Sequence, residues 1–320
     1  MRRIAEIPSK LPLRWLAFAS VVANVAVVGT GGAVRLTDSG LGCPTWPRCT
    51  DESYVTNSAM GIHGAIEFGN RMLFFVIGLI AVAAFVAALG RRPLRRSLIV
   101  LALAPFLGIV AQAVIGGITV LTNLNPWVVG LHFLASMGVI AAAYAFWWRT
   151  APPEPAGLVP APLPALVWLT TAVSALVLVL GTFVTGSGPH AGDVDAHRNG
   201  LDPETIAQVH ADVVFLLIGL SVALWFALRA VGATAAARAA AVLVAVELGQ
   251  GLIGFVQYFT HLPEILVGAH MVGACLVWLA TLAVLARTRP ARIPLQATPP
   301  APAPATATPT PVDLGQIPVS

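Results

Sequence analysis

The sequence predicts an all-α integral membrane protein in which eight transmembrane helices form two tandem four-helix bundles related by internal duplication. The first reason is composition. Of the 320 residues, 57% are hydrophobic and only 10% are charged, whereas soluble domains carry about 25% charged residues. The second reason is a set of eight apolar runs, each at least the roughly 20 residues that a helix needs to cross the bilayer. The third is a motif that occurs twice at a constant spacing.

The eight apolar runs lack the alternation of polar and apolar residues that membrane strands require, so helices are the predicted spanning form. The first run is long enough for a full span, and no cleavable signal peptide is evident. The predicted spans are Trp15–Val34, Ile62–Leu89, Ser97–Thr122, Pro126–Trp148, Leu163–Thr185, Thr205–Leu228, Ala239–Phe259 and Ile265–Ala286.

The distribution of basic residues predicts the orientation of these spans. With both termini cytoplasmic, fourteen of the 18 Lys and Arg residues lie on the cytoplasmic side, as the positive-inside rule requires. The other four lie on the outer side: Arg35, Arg48, Arg71 and Arg198. The sequence therefore predicts a multi-pass protein of the cell membrane with cytoplasmic N- and C-termini. Its net charge of +4 is explained by topology and does not indicate nucleic-acid binding.

The chain divides into four predicted regions. Residues 1–150 form an N-terminal bundle, and residues 165–290 form a C-terminal bundle. A Pro- and Ala-rich cytoplasmic linker, residues 151–164, joins them. The tail, residues 291–320, consists mainly of Pro, Ala and Thr. Because it lacks the apolar bulk to pack, it is predicted to be disordered.

The repeated motif ends in a histidine in each bundle. The first copy consists of Gln112, Ile115, Gly116 and His132, and the second of Gln250, Ile253, Gly254 and His270. Each residue of the second copy lies 138 positions after its counterpart, as 270 − 132 gives for the histidines. A register kept over about twenty residues indicates an internal duplication.

Four histidines lie near the outer ends of predicted spans, His63 and His132 in the first bundle and His210 and His270 in the second. One histidine in a span is more often a hydrogen-bonded packing residue, but four at matched depth favour a functional site. Two imidazoles on facing helices of a bundle are typical of haem-iron ligation, and zinc is disfavoured because no third ligand lies at equal depth. Small residues nearby either admit a flat macrocycle or serve ordinary helix packing.

A second polar group lies on one face of the second span: His63, Glu67, Asn70 and Arg71. Two interpretations are open. Glu67 and Arg71 form a structural ion pair that stabilises the bundle, or Glu67 is a reactive carboxylate and Arg71 neutralises a buried anion such as a propionate. The comparable helix of the second bundle keeps His210 but lacks this ion pair. We therefore expect one plain ligand site and one reactive site.

The stretch Cys43-Pro-Thr-Trp-Pro-Arg-Cys49 lies in the first outer loop, which is predicted to run from Arg35 to about Gly61. Because the outer side of the membrane is oxidising, a disulfide between the two cysteines is expected, either structural or redox-active. Cys275 lies within the last span and is interpreted as a small buried hydrophobic residue.

Together these motifs resemble haem A synthase, the family of membrane enzymes that mature haem for cytochrome oxidase. The resemblance covers nearly the whole chain up to about Ala286. It depends on Gly40-Leu-Gly-Cys43-Pro-x-Trp46-Pro-x-Cys49, Glu67-x-x-Asn70-Arg71, Gly130-Leu-His132-Phe, Gln208-Val-His210 and Gly268-Ala-His270. Each motif is weak alone, and together they are specific.

The resemblance implies that a porphyrin methyl group of haem O is oxidised to a formyl group, by successive hydroxylations and loss of water, to give haem A. It implies a haem b cofactor between His210 and His270, toward the outer face. The N-terminal bundle would then bind the substrate haem, with His132 as one axial ligand and Glu67 as the catalytic carboxylate. The loop cysteines would form the family's disulfide, with a part in electron transfer or in enzyme stability.

One departure from the family concerns the substrate haem. Many members have Glu-x-x-His-Arg where this chain has Glu67-x-x-Asn70-Arg71. Either His63, two turns earlier on the same face, replaces the missing ligand, or His132 binds the iron alone and leaves an open position for oxygen chemistry. The sequence does not choose between them.

Two other classes of protein fit part of the pattern. A dihaem b-type electron-transfer protein would explain the histidines but leave Glu67 without a purpose. A transporter would explain the tandem repeats, but the histidines cluster near one surface. The expected partners are the haem O substrate and membrane lipid, with haem O synthase and a quinone or other electron donor as candidates. A homo-oligomer is compatible with the sequence.

Overall fold

The computed structural model describes residues 11–152 and 159–288. Within these ranges it contains eight long helices and no strand, and each helix is long and apolar enough to cross a membrane. They are α1 (Leu13–Leu36), α2 (Gly61–Leu89), α3 (Arg96–Leu121), α4 (Pro126–Thr150), α5 (Leu163–Ser187), α6 (Pro203–Ala230), α7 (Thr234–Phe259) and α8 (Glu264–Thr288). The predicted all-α membrane fold is confirmed, and each helix covers its predicted span almost completely.

Parts of the prediction fall outside the described residues. These are the basic N-terminal segment, residues 1–10, the centre of the linker, residues 153–158, and the tail, residues 291–320 together with the two residues before it. The described helices all belong to one compact unit.

Two outer helix starts are set by short capping sequences. Asn125 accepts a hydrogen bond from a first-turn amide of α4 (3.0 Å), and Pro126 occupies the first helical position. Asp202 accepts from the Thr205 amide of α6 (2.8 Å), where Pro203 follows the cap. Such caps satisfy amides that have no partner in the helix, and proline has no amide hydrogen to leave unpaired. The hydrogen bonds from Thr205 hold the pKa of the exposed Asp202 carboxyl below its usual range.

Helix contacts arrange the chain as two four-cornered groups. In each group, consecutive helices touch, and the first helix also touches the last. Helices α2 and α4 therefore lie at opposite corners of the N-terminal bundle, and α6 and α8 at opposite corners of the C-terminal bundle. The two bundles meet through α1, α4, α5 and α8. The candidate histidines all lie on the diagonal pairs, α2 with α4 and α6 with α8.

The turns between the last two helices of each bundle have the same backbone. Asn123 and Leu124 have φ of 49° and 56°, and their counterparts 138 positions later, His261 and Leu262, have φ of 61° and 60°. The amides of Leu124 and Leu262 each donate to the carbonyl five residues earlier, at 2.8 and 2.7 Å. The repeated sequence thus gives a repeated local structure, which holds α3 against α4 and α7 against α8.

The predicted start of the first outer loop is wrong by two residues. The sequence places Arg35 in that loop, whereas α1 continues through Arg35 to Leu36. A cation in the last turn interacts favourably with the helix dipole, and the guanidinium finds acceptors in the other bundle. Its Nε donates to the His190 carbonyl (2.5 Å), and Nη2 donates to the Thr185 carbonyl at the end of α5 (2.7 Å).

Candidate functional site

The histidine that ends each copy of the repeat packs against a glycine of the preceding helix. His132 lies in the second turn of α4, and His270 lies in the second turn of α8. The Cε1 atom of His132 is 3.3 Å from where a Cβ on Gly116 would stand, and that of His270 is 3.2 Å from the same position on Gly254. A larger residue at either glycine would displace the imidazole, so the small residue allows the close approach.

A glutamine contacts the backbone of each histidine. Gln112 donates to the His132 carbonyl (3.1 Å), and Gln250 donates to the His270 carbonyl (2.8 Å). In the N-terminal bundle alone, Gln112 also donates to the Ser136 hydroxyl (2.5 Å). Both copies of the repeat therefore position their histidine through the same pair of contacts, from glutamine and glycine.

Within the described part of the chain, three of the four histidines have a buried ring nitrogen that lacks a hydrogen bond of normal geometry. The buried Nδ1 atoms of His132, His210 and His270 have no hydrogen-bond partner of normal geometry among the described residues. The ring of His210, two turns into α6, packs against Gly181 of α5. The rings of His210 and His270 also lie beside the backbone at Val177 and Gln250, so the Nδ1 atoms face the packed side of each ring.

The N-terminal bundle offers two residues of α2 opposite His132. His63 is exposed near the start of α2, where its Nδ1 shares a hydrogen bond with the Ser39 hydroxyl of the outer loop (3.0 Å). Asn70 lies deeper and is half-buried, and its Oδ1 accepts a hydrogen bond from Thr30 of α1 (2.9 Å). The Asn70 side chain therefore contacts the neighbouring helix α1, just as the His210 ring contacts α5.

A second register supports the correspondence between Asn70 and His210. Ile66 and Phe75 of α2 recur in α6 as Ile206 and Phe215, 140 positions later in both cases. The same offset pairs Asn70 with His210. Asn70 thus occupies the place that the ligand-type histidine holds in the other bundle, whereas His63 lies about two helical turns nearer the outer end.

The predicted disulfide joins Cys43 to Cys49 and closes a seven-residue segment, the disulfide loop (residues 43–49). Trp46 of this loop packs so closely against α3 that a Cβ on Gly117 would overlap its ring. Gly117 follows the glycine that contacts His132. The disulfide loop therefore covers the outer end of the N-terminal bundle beside the candidate site.

Arg71 and Glu67 hold this loop onto α2. Arg71 Nε and Nη2 donate to Glu67 Oε1 (3.0 and 2.5 Å). Arg71 Nη1 donates to the carbonyls of Thr45 and Arg48 (2.9 and 3.1 Å), and Nη2 also donates to that of Cys43 (2.8 Å). Glu67 Oε2 accepts from the Cys43 amide (2.5 Å). These contacts match all five guanidinium donors with acceptors.

The ion pair therefore has a structural task in this conformation. With its five donors occupied, Arg71 can bind a propionate only by giving up a loop carbonyl or its contact with Glu67. Glu67 is buried, and the opposite charge of Arg71 is what a carboxylate in that setting requires. Each carboxylate oxygen can accept two hydrogen bonds, so Oε2 keeps one acceptor position for other chemistry.

The small residues near the histidines fall into two groups. Gly117, Gly130, Gly268 and Gly273 each face a side chain from another part of the chain, so they serve packing. Gly138 and Gly251 have open space where a side chain would be. Packing therefore explains the first group, whereas the glycines of the second group have no packing partner among the described residues.

One buried carboxyl was missed by the sequence reasoning. Glu247 of α7 is only 3% exposed, and its Oε1 accepts a hydrogen bond from the Ser221 hydroxyl of α6 (2.8 Å). Its Oε2 has no partner among the described residues. The duplication could have indicated Glu247. The corresponding residue of the first copy, 138 positions earlier, is the buried Ile109, so a carboxyl replaces an apolar side chain at this position.

Comparison with known proteins identifies the family. The model of the COX15-CtaA family, described as cytochrome oxidase assembly protein, matches residues 14–282. The chain belongs to this family. The predicted family is therefore confirmed.

Curated relatives of this COX15-CtaA protein carry the name heme A synthase. That of Exiguobacterium sibiricum is 32% identical over 33% of this chain and 36% of its own length. That of Methylorubrum extorquens is 30% identical over 54% of this chain and 53% of its own length. That of Azorhizobium caulinodans is 26% identical over 84% of this chain and 91% of its own length. The first two matches thus span about a third and about half of those relatives.

The residues of this COX15-CtaA protein fit a haem better than a metal ion held by side chains alone. Within the described ranges, no three His, Cys, Asp or Glu residues come together as a metal site. The histidines lie instead on diagonal helices, which are the corners farthest apart in a bundle. A flat group between two imidazoles matches that arrangement.

Proposed function

We propose that this protein is a haem A synthase, which oxidises one porphyrin methyl group of haem O to a formyl group. The observation that carries the proposal is the diagonal histidine arrangement in a chain of the COX15-CtaA family. The name heme A synthase on relatives that align with most of the chain supports it.

His210 and His270 would hold haem b in the C-terminal bundle. Their place on diagonal helices and the glycines that face both rings support this assignment. Haem b bound there supplies one-electron transfer. The residues of this bundle orient the rings, through Gly181 and Gly254, and fix the backbone of His270, through Gln250.

The N-terminal bundle binds the haem O substrate, with His132 as its protein ligand. Asn70 lies on the opposite side, since it corresponds to His210 at the offset of 140, and Thr30 donates a hydrogen bond to it. An asparagine amide is a far weaker iron ligand than imidazole. The substrate iron therefore keeps an open coordination position, and His63 remains with Ser39 in the outer loop.

Oxidation of a methyl group to a formyl group takes two hydroxylations and one dehydration. With molecular oxygen as oxidant, each hydroxylation inserts one oxygen atom, releases the other as water, and consumes two electrons and two protons. The hydrated aldehyde then loses water. Glu67 acts in this last step: Oε2 accepts a proton from one hydroxyl and returns a proton to the hydroxyl that leaves.

The disulfide loop encloses this chemistry on the outer side. Trp46 packs on α3, and Arg71 fixes three loop carbonyls to α2. A closed outer wall limits the access of bulk water to the substrate. Arg71 therefore acts as a positioning residue, and the disulfide between Cys43 and Cys49 keeps the wall compact.

The test is the haem content of cells that make haem O and express this gene. Haems are extracted and separated by chromatography, with and without the gene, and haem A is expected only with it. Replacement of His132 or Glu67 by Ala should abolish haem A while leaving the haem b spectrum of the purified protein unchanged. Replacement of His270 by Ala should remove that spectrum.

The exposed loop residue His197 provides a matched control, since it lies outside both bundles. A His197→Ala variant should make haem A normally. Two results would contradict the proposal: absence of haem A in cells with intact protein and haem O, which would favour electron transfer alone, or unchanged haem A formation by the Glu67 variant, which would limit Glu67 to holding the loop.

A further inference from the structure

A cavity between α7 and α8 lies at the end of the C-terminal bundle away from the histidines. Its volume is about 320 Å³. Two arginines, Arg238 and Arg287, line it together with apolar residues that include Ala239, Val242 and Ala280. Val242 is 56% exposed at the periphery of the bundle, so the apolar side of the cavity is continuous with the surface that faces lipid.

The protein holds Arg287 in place without neutralising it. The guanidinium lies 4.7 Å from the centre of the Trp148 ring, and Nη1 donates to the Ala283 carbonyl (3.2 Å). Arginine has five N–H donors, so most of them are left for a ligand. The stacked ring and the carbonyl fix the direction of the guanidinium before any ligand binds.

Arg238 is exposed, and among the described residues it has neither a hydrogen bond nor an ion pair. No acidic residue lines the cavity. Two cations beside one apolar cavity repel each other unless an anion lies between them. The two cations and the apolar lining of the cavity therefore favour a partner with an anionic head and an apolar body.

The pair of arginines is specific to the second bundle. At the offset of 138, the counterpart of Arg287 is Arg149, whereas the counterpart of Arg238 is Val100. The N-terminal bundle thus has one of the two cations at this place. This difference between the copies indicates that the second cation is not a requirement of helix packing, and it provides an internal control.

We propose that this cavity binds an anionic phospholipid, with the phosphate between Arg238 and Arg287 and an acyl chain along the apolar residues of α7 and α8. Guanidinium groups bind phosphate with paired, charge-assisted hydrogen bonds. Basic pockets between transmembrane helices on the cytoplasmic side are typical sites for anionic lipids. The positive-inside distribution places this end of the bundle on that side. The proposal does not depend on haem chemistry.

The experiment uses the full chain, purified with its haem in detergent and titrated with phosphatidylglycerol or phosphatidylcholine, with bound lipid counted by native mass spectrometry. We expect retention of phosphatidylglycerol in preference to phosphatidylcholine. An Arg238→Gln or Arg287→Gln variant should bind phosphatidylglycerol about fivefold more weakly, as expected for loss of one cation near an anionic lipid.

Arg149→Gln is the matched control, because it removes an equivalent charge from the other bundle and should bind normally. Arg238→Lys keeps the charge and should retain most of the affinity. Equal binding by the Gln variants and the control would overturn the proposal, as would equal binding of the two lipids. So would displacement of phosphatidylglycerol by millimolar inorganic phosphate, which would indicate a simple anion site.

Discussion

At the scale of single residues, Asn70 accepts a hydrogen bond from Thr30 of α1, whereas His210, 140 positions later, packs against Gly181 of α5. The hydrogen bond from Thr30 uses Oδ1 of Asn70 and leaves its amide nitrogen free of any contact to a described residue. A neutral amide and a hydroxyl beside an iron atom would stabilise a small polar ligand by hydrogen bonds rather than compete with it. On this proposal the two bundles differ in the number of histidines that bind iron. They differ also in the ion pair of Glu67 and Arg71, which only the first bundle has among the described residues.

The first prediction concerns this position. An Asn70→His variant should convert the substrate iron from high-spin to low-spin, because a second imidazole would fill the open position. It should also lose the binding of carbon monoxide to that iron. Optical and electron paramagnetic resonance spectra of the haem-loaded protein measure both. His63→Ala should leave the wild-type spectrum unchanged, and a change of spin state in that variant would instead make His63 the ligand.

Glu247 and Ser221 provide the second prediction. Both side chains are buried, and the hydroxyl of Ser221 is the only donor to this carboxyl among the described residues. A Ser221→Ala variant leaves Glu247 wholly unpaired, which should lower the free energy of unfolding by about 1–3 kcal/mol. A Ser221→Ala, Glu247→Ile double variant, which restores the residue type of Ile109, should recover that loss or exceed it. Unfolding in denaturant measures both, and an unchanged stability of the single variant would mean that the hydrogen bond contributes nothing.

How much of the site was predictable depends on the kind of evidence each residue leaves in the sequence. His132 and His270 were predicted because they end a repeat, which carries positional information along the chain. Glu247 was missed because a repeat is recognised by the residues that its two copies share, and at this position the copies differ. The full set of Arg71 contacts could not be predicted, since three of its acceptors are carbonyls of the disulfide loop. Their positions depend on how that loop folds back onto α2.

At the scale of helices, close packing of imidazole on glycine couples α7 to α8 and positions the iron ligand. A Cβ on Gly254 would already crowd the His270 ring, so the helices cannot move closer together without moving the ring. The same holds for α3 and α4 at Gly116 and His132. The packing of these helices and the position of each histidine ring therefore depend on the same contact.

The third prediction tests that coupling. A Gly254→Val variant should bind less haem b, because the added side chain would displace the imidazole of His270. A loss of at least tenfold in affinity corresponds to about 1.4 kcal/mol or more. Gly249→Val is the control on the same helix, since Gly249 is exposed and has no atom nearby. The haem-to-protein ratio measures both, and a full haem b content in Gly254→Val would show that the ring can relax.

Helix bounds were predicted well because the length of an apolar run is fixed by the thickness of the bilayer. The contact of Trp46 with Gly117 was not predicted, since a glycine pair in a span is equally typical of helix packing. Nor was the extension of α1 through Arg35, because an arginine after an apolar run indicates a loop until its acceptors are known. In both cases the deciding partner comes from a distant part of the sequence.

At the scale of the whole molecule, the two bundles are joined by contacts that also follow the duplication. Gly130 of α4 faces Thr182 of α5, and its counterpart Gly268 of α8 faces Leu36 of α1. The indole of Trp278 donates to the Met137 carbonyl across the same interface (3.0 Å). Polar contacts at the outer end come from Arg35. The interface therefore has a packed centre and a hydrogen-bonded outer edge.

The fourth prediction follows from this interface. Residues 1–156 and 157–320, co-expressed as separate chains, should assemble and bind haem b, because helix contacts rather than the linker hold the bundles together.

An Arg35→Gln variant should reduce the amount of one chain that is recovered with the other. The substitution removes charge-assisted hydrogen bonds to two carbonyls, each contributing about 1.5–3 kcal/mol. Arg48→Gln is the control, because Arg48 donates only within its own loop. Affinity purification through a tag on one chain measures the assembly. Failure of the wild-type pair to assemble would make the covalent linker essential, and equal recovery of the two arginine variants would assign the interface to apolar packing alone.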